Sequence, residues 1–423
     1  MNSTYQRNRD PPVSYEGQHT VDVTATKALG LLDGARKAKK PFFLGVAPIA
    51  PHCDIWSPNY REGKSAGGFD NLFFGPPVPA ERHAHLFKDA KVPRTSNFNP
   101  DRPSGASWIR KLPQQSPETV EYNDNFYAAR LRALQGVDEL VDSIVQRLGD
   151  LGILEDTYVI YSTDNGYHIG QHRLQPSKQC SFEEDINIPM IIRGPGVPKN
   201  VTTDIVTTHT DLAPTILRIA EAPLRDDFDG LAIPLTSDGL SKAQESRHEH
   251  VTVEHWGFAS NEGQVSKEYP VLHMNNTYKA LRIVGESYNL LYTVWCNNER
   301  ELYDLATDPG QMVNLLHADE QKSQTLLGQP IDKVVGRLDS VLFVLKTCRA
   351  DACVHPWRAF HPSGSVETLR DALSPRFDFF YEVETEKIKF DRCEMGYISD
   401  AEGPQFGQEV EWLKVDPNWH EWT

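Results

Sequence analysis

The chain has 423 residues, enough for one large core and a smaller one, and its 39% hydrophobic and 24% charged residues are those of a folded globular protein. A formal charge of −16 excludes a general nucleic-acid binder, which needs clustered Lys and Arg, yet leaves room for an anionic small substrate in a locally basic pocket. No apolar run reaches the roughly 18–20 residues of a membrane span, and the opening MNSTYQRNRDPP lacks the basic-then-apolar pattern of a signal peptide.

In chain order, Asp22–Lys39 reads as a helix with apolar Val23, Leu29, Leu31 and Leu32 and a basic end. Residues 41–47 (PFFLGVA) predict a short buried strand closed by Pro48 and Pro51. Residues 53–120, rich in Pro, Gly, Ser and Asn, predict a long surface excursion of functional importance. Asp124–Leu151 is the clearest helix, with Phe126, Leu134, Val137, Leu140, Val141, Ile144 and Leu148 on one face. Thr157–Thr163 and Pro189–Arg193 predict strands, Asp204–Val206 can extend the sheet, and Asp211–Ala220 opens as a helix with Pro214 in its first turn. Strands alternating with helices imply a mostly parallel sheet covered on both faces. After about residue 250 the pattern changes to VTVEHW, YKALRIV, YNLLYTVW and ERELYDL, a small antiparallel sheet, followed by a helix over Gln321–Thr347. The expected organisation is an α/β catalytic domain over 1–250 and a smaller C-terminal subdomain, antiparallel β plus helix, over 251–423 with a cysteine-bearing tail. Six cysteines, three of them late (Cys348, Cys353, Cys393), and Asn-x-Ser/Thr sequons at Asn2, Asn200 and Asn275 fit a secreted glycoprotein. Cys348 and Cys353 are close enough for a local bridge, but spacing leaves the pairing open, as it does the oligomeric state.

The chemistry concentrates at strand ends. Asp164 and Asn165 follow the Thr157–Thr163 run and can project two oxygens into one site suited to a hard cation, with Gly166 turning the backbone away. An Asp-Asn-Gly turn without metal is the plainer alternative. Tyr167–Lys178 adds His168, His172, Arg173 and Lys178, and the PIAPH end of the 41–47 run adds His52. A cation, a lysine and a histidine around one pocket can neutralise a tetrahedral oxyanion such as sulfate or phosphate.

In collinear order, PFFLGVAPIAPH, TYVIYSTDNGYHIGQHRLQPSK, EEDINIPMIIRGPG, HTDLAPTILRIA and FDGLAIPL resemble successive motifs of the sulfatase family, and residues 278–315 resemble its C-terminal subdomain. The likeness is to arylsulfatases and glucosamine-6-sulfatases, with a tail similar to the fungal secreted branch. It implies an alkaline-phosphatase-like three-layer sandwich, sulfuric ester hydrolysis, a Ca2+-type cation (Mg2+ is the alternative) and a formylglycine nucleophile made from cysteine. By motif, Asp164 and Asn165 are metal ligands, and Lys178 contacts sulfate and nucleophile. His52 contacts the ester oxygen and donates a proton to the leaving group. His168 and His172 line the substrate pocket, and the alternative for His172 and Arg173 is that they only hold the loop. The structural alternatives are a loop-capping role for His52 and an exposed loop lysine at Lys178. The family's Asp-Asp pair, Cys-x-Pro-Ser-Arg motif and Gly-Lys-Trp-His segment are absent from these residues, and none of Cys53, Cys180, Cys296, Cys348, Cys353 and Cys393 fits the nucleophile pattern. Asp226-Asp227, which precedes FDGL, belongs to a different motif. The expectation is an N-terminally truncated sulfatase with little activity of its own, acting by family on a small sulfate ester or sulfated sugar, in a secreted or lysosome/vacuole-like setting. A pseudoenzyme binding an anionic glycan is the alternative of a different class. A phosphatase or phosphodiesterase of the same fold is a third reading.

Overall fold

Two amphipathic helices organise the first half of the chain in the computed structural model, which describes residues 3–57, 59, 72–263, 265, 272–317 and 325–406. The first, α1 (Thr20–Ala38), buries Val21, Val23, Ala28 and Leu32 and carries Asp22 in its first turn and Arg36 and Lys37 in its last, the charge order that its dipole favours. The second, α2 (Pro117–Asp150), starts well before the expected Asp124. Ser116 caps it by accepting from the Thr119 amide at 3.2 Å, and Pro117 fills the first helical position, where no N–H is needed. The helices share an apolar seam of Val21, Val137 and Leu140. Two ion-pair sets flank it, Asp33 with Arg147 at 2.8 Å and Arg82 with Asp22 and Glu139.

Contacts divide the chain into two compact units, residues 1–200 with 259–273 and residues 201–258 with 274–423. The boundary expected at 250/251 falls inside the second of these. In the first unit, β1 (Val159–Ser162) pairs with β2 (Met190–Arg193) in antiparallel register, from Val159 opposite Arg193 to Ser162 opposite Met190. This corrects the expected parallel sheet, since every strand pairing among the described residues is antiparallel. Parallel neighbours need a crossover connection, usually a helix. The segment between β1 and β2 instead folds back on itself with one short helix, Glu183–Ile186. Residues 41–47 form no strand either, and Phe43 is 75% exposed. An apolar run becomes a buried strand only where a neighbour pairs with its backbone, and none of the described residues does so. Asp204–Val206 likewise lies outside any strand. The 53–120 excursion is more packed than expected, with Val92, Asn97, Ser104 and Ile109 buried; residues 58 and 60–71 of it lie outside the described set.

In the second unit, β3 (His250–His255), β4 (Tyr278–Gly285), β5 (Tyr288–Trp295) and β6 (Arg300–Asp304) form the antiparallel sheet that the late strand pattern predicts, in the order β6-β5-β4-β3. The helix expected from Gln321 begins at Ile331 instead (Ile331–Leu345). A small hairpin of Thr325–Leu326 with Gln329–Pro330 occupies the chain before it, and residues 321–324 lie outside the described set. Its apolar face, including Val334, Leu338, Val341 and Leu342, joins Leu281, Leu290, Tyr292 and Leu302 of the sheet in one core. Disulfides join Cys348 to Cys353 and Cys296 to Cys393. The HTDLAPT and FDGLAIPL motifs are tied together here. The buried Asp211 carboxylate accepts from the Leu231 amide at 2.7 Å and pairs with Arg247 at 2.6 Å. No helix among the described residues is long and apolar enough to cross a membrane.

Candidate functional site

The loop after β1 is laced at its base. The Gly166 amide donates to the Asp185 carbonyl at 2.8 Å and the Tyr167 amide to the Glu184 carbonyl at 2.6 Å. A side chain at Gly166 would put its Cβ 2.0 Å from the Glu184 carbonyl oxygen, so glycine is required by the close approach. Further in, His168 and Ser177 bridge through paired backbone bonds of 2.9 and 3.1 Å.

Within this loop His172 and Arg173 take left-handed backbone conformations, with φ of 53° and 66°. The Arg173 guanidinium donates to the carbonyls of Pro100 (3.0 Å), Leu112 (3.1 Å) and Asp101 (2.7 Å). His172 is buried, with Nδ1 2.6 Å from Ser104 Oγ and its ring stacked on Phe182 at 3.8 Å. Burial, and then the charge of His168, pushes its pKa down to about 3. Both residues therefore anchor the loop to residues 97–112. His168 is buried as well, with Nδ1 2.9 Å from each oxygen of Asp185, and Asp185 also accepts from the Cys180 amide at 2.8 Å. Asp185 thus fixes the orientation of the His168 ring.

Lys178 and His52 converge on one carboxylate. Lys178 Nζ lies 3.3 Å from Glu262 Oε1. A ring nitrogen of His52, the Cys53 sulfur and a Glu262 oxygen all lie within 4.8 Å of one another. His52 Nδ1 is 3.0 Å from the Cys53 carbonyl and 3.6 Å from its sulfur. Arg130 reaches in from α2, donating to the Pro51 carbonyl at 3.0 Å and lying over the Tyr167 ring at 3.6 Å. Burial, followed by the negative charge of Glu262, pushes the Cys53 thiol up to about 12 and raises the Tyr167 phenol well above its usual range. Burial lowers the Arg130 pKa, opposed by the charges of Tyr167 and Glu262. The motifs anticipate Lys178 and His52 but not Glu262, Arg130 or Cys53. Glu262 lies between the FDGLAIPL motif and the 278–315 segment and belongs to neither, and Arg130 reads as one more polar residue of a helix.

Asp164 and Asn165 stand where β1 ends. Asp164 is exposed, with Oδ1 3.2 Å from the Thr163 hydroxyl, and the Asn165 side-chain amide donates to the Gly166 carbonyl at 2.6 Å. Together they offer three side-chain oxygens, two from one carboxylate and one from an amide, where Ca2+ takes about 6–8. Among the described residues the groups of three or more His, Cys, Asp and Glu donors are His52–Cys53–Glu262 and His168–Cys180–Asp185, and Asp164 belongs to neither. These residues by themselves do not fit a Ca2+ or Mg2+ centre.

The sulfatase family model matches residues 1–222, and the model for the C-terminal part of N-sulphoglucosamine sulphohydrolase matches residues 170–334. The chain is 39% identical to the sulfatase ppz1 of Metarhizium majus, over 92% of this chain and 80% of that protein. It is 36% identical to an arylsulfatase of Volvox carteri, over 90% of this chain but 59% of the algal protein. The solved structure of BT4656 with its substrate D-glucosamine-2-N,6-O-disulfate superposes with a TM-score of 0.55 at 18% identity, covering 74% of this chain and 68% of that one. That likeness shows the fold, an α/β arrangement of the alkaline-phosphatase-like kind. With a family model covering more than half of its residues and a fungal sulfatase matched across most of both chains, this chain belongs to the sulfatase family.

Proposed function

We propose that residues 1–423 form the sulfate-receiving side of a sulfatase pocket, in which Lys178 holds the anion and His52 contacts the bridging ester oxygen. The observation that carries this reading is the Glu262 carboxylate, an anionic group held by Lys178 and close to His52. A sulfate ester presents the same kind of negative oxygen, and a half-buried ammonium such as that of Lys178 binds it more strongly than it would in water. His52 keeps Nδ1 on the Cys53 carbonyl, which leaves Nε2 to donate a proton to the departing oxygen when the ring is protonated. His168, fixed by Asp185, supports the pocket wall. Asp164 and Asn165 act as cation ligands only with further oxygen donors.

The substrate class is a small sulfate ester, either an aryl sulfate or a sulfated sugar. Relatives named arylsulfatase and a structural neighbour bound to a disulfated glucosamine support that class. The two disulfides and the exposed sequon residues Asn200 and Asn275 support a secreted or lysosome/vacuole-like setting. Hydrolysis by residues 1–423 alone is weak or absent, because they contain no Cys-x-Pro-Ser-Arg motif and the pocket thiol, Cys53, is held protonated. That thiol also favours the second reading, a protein that binds sulfated ligands without turning them over. Calorimetric titration with inorganic sulfate tests the shared core of both readings. Saturable binding that Lys178→Ala weakens by about tenfold supports it. Binding indifferent to Lys178 overturns it.

A further inference from the structure

We infer that Glu262 is an internal competitor for the anion seat, a side chain that occupies Lys178 and must turn away before a sulfate ester can bind. The inference rests on the reading of Lys178 as the anion contact. Glu262 is 5% exposed and lies 3.3 Å from Lys178 through Oε1. Its position is built from both sides. The Glu262 amide donates to the Pro176 carbonyl at 2.8 Å, and the neighbouring Ser260 bonds to Ser177 and Gln179. Behind it, Gly263 packs so closely on Phe126 that a Cβ there would lie 2.7 Å from the ring. The backbone of Glu262 is therefore held to the Lys178 loop while its side chain remains the movable part.

Two polar atoms show that the carboxylate satisfies this pocket incompletely. Glu262 Oε2 and the Tyr167 hydroxyl are both buried and neither completes a well-formed hydrogen bond among the described residues, although the carboxylate lies near enough to Tyr167 to raise the pKa of its phenol. A buried unsatisfied donor or acceptor is costly, so the arrangement is poised for replacement by a group with better-placed oxygens. A tetrahedral anion brings several acceptor oxygens and can serve Lys178 and Tyr167 together, whereas the Glu262 carboxylate, which also acts on the Tyr167 and Cys53 side chains, holds Lys178 through one oxygen. With Glu262 present, any external anion first displaces a covalently tethered rival at high effective concentration. The consequence is selectivity against weak anions such as chloride or acetate and a lowered affinity for sulfate.

Titration of inorganic sulfate into the full chain, Glu262→Gln, Lys178→Ala and the double variant tests this. Glu262→Gln is expected to bind sulfate about tenfold tighter than the unsubstituted chain, the gain from removing one charged competitor. That gain should vanish when Lys178→Ala is added. Glu262→Ala, which has no amide to offer the ligand, should show the same gain and guards against a Gln-specific contact or a misfolded variant. If Lys178→Ala weakens binding while neither Glu262 variant tightens it, the competitor role is overturned and the anion seat stands. If sulfate affinity ignores Lys178 in both backgrounds, the anion seat itself falls.

Discussion

Nδ1 of His168 lies 2.9 Å from both carboxylate oxygens of Asp185, and the two side chains are almost wholly buried. Removing one partner of such a pair leaves the other buried without compensation, at a cost of roughly 3–5 kcal/mol. Asp185→Ala should therefore lower stability by about that amount in urea unfolding, since the Cys180 amide also loses its acceptor. His168→Ala should cost a comparable amount, because it leaves the buried Asp185 carboxylate with the Cys180 amide but without its imidazole partner. A change below about 1 kcal/mol for Asp185→Ala would show that the pair does not hold the loop.

Acid sensitivity should trace in part to His172. Its pKa falls from the ordinary 6.5 to about 3 because burial disfavours the imidazolium. Between these values the unfolded chain binds a proton that the folded chain refuses. This contribution to stability is complete above about pH 6.5 and is lost as pH falls toward 3, at about 1.4 kcal/mol per pH unit. In His172→Gln the stability-versus-pH slope between pH 6 and 4, read by urea unfolding, should be shallower by about one proton. An unchanged slope would mean that His172 already titrates normally in the folded protein.

Calcium should be a poor ligand for these residues alone. Asp164 and Asn165 supply one carboxylate and one amide oxygen, and the donor clusters of the first unit are mixed imidazole, thiol and carboxylate sets, which suit softer ions than Ca2+. Isothermal titration of residues 1–423 with CaCl2 should show no saturable binding below the millimolar range, and EDTA should leave the melting temperature unchanged. Micromolar binding lost in Asp164→Ala would instead show a fuller oxygen shell than the two residues provide.

How far the sequence discloses this protein depends on whether a feature is local. The long helix is legible because its apolar residues repeat on one face, and even its true start is written locally as Ser116-Pro117, a cap followed by a first-turn proline. The Cys348–Cys353 bridge is likewise within sight of its spacing, whereas Cys296 and Cys393 are joined across 97 residues. Residues 41–47 mislead because apolar character announces a wish for burial and not the strand that would satisfy it. The β1–β2 pairing misleads because strand–helix alternation implies a crossover, while the loop from Asp164 to Asp185 closes back on itself through Gly166 and Tyr167. In the candidate site, motif order leads to His52, His168 and Lys178. Glu262 is invisible to it, since a single glutamate far along the chain carries no pattern until folding places it on Lys178.

The most direct test of the account is hydrolysis of an aryl sulfate by purified residues 1–423 under conditions where a complete arylsulfatase turns over freely. Lys178 and His52, proposed to receive sulfate, are present, but no Cys-x-Pro-Ser-Arg motif is, so the predicted result is a rate indistinguishable from the protein-free blank. Robust turnover that Lys178→Ala abolishes would contradict it, and would mean that these residues contain an attacking group outside the family's pattern.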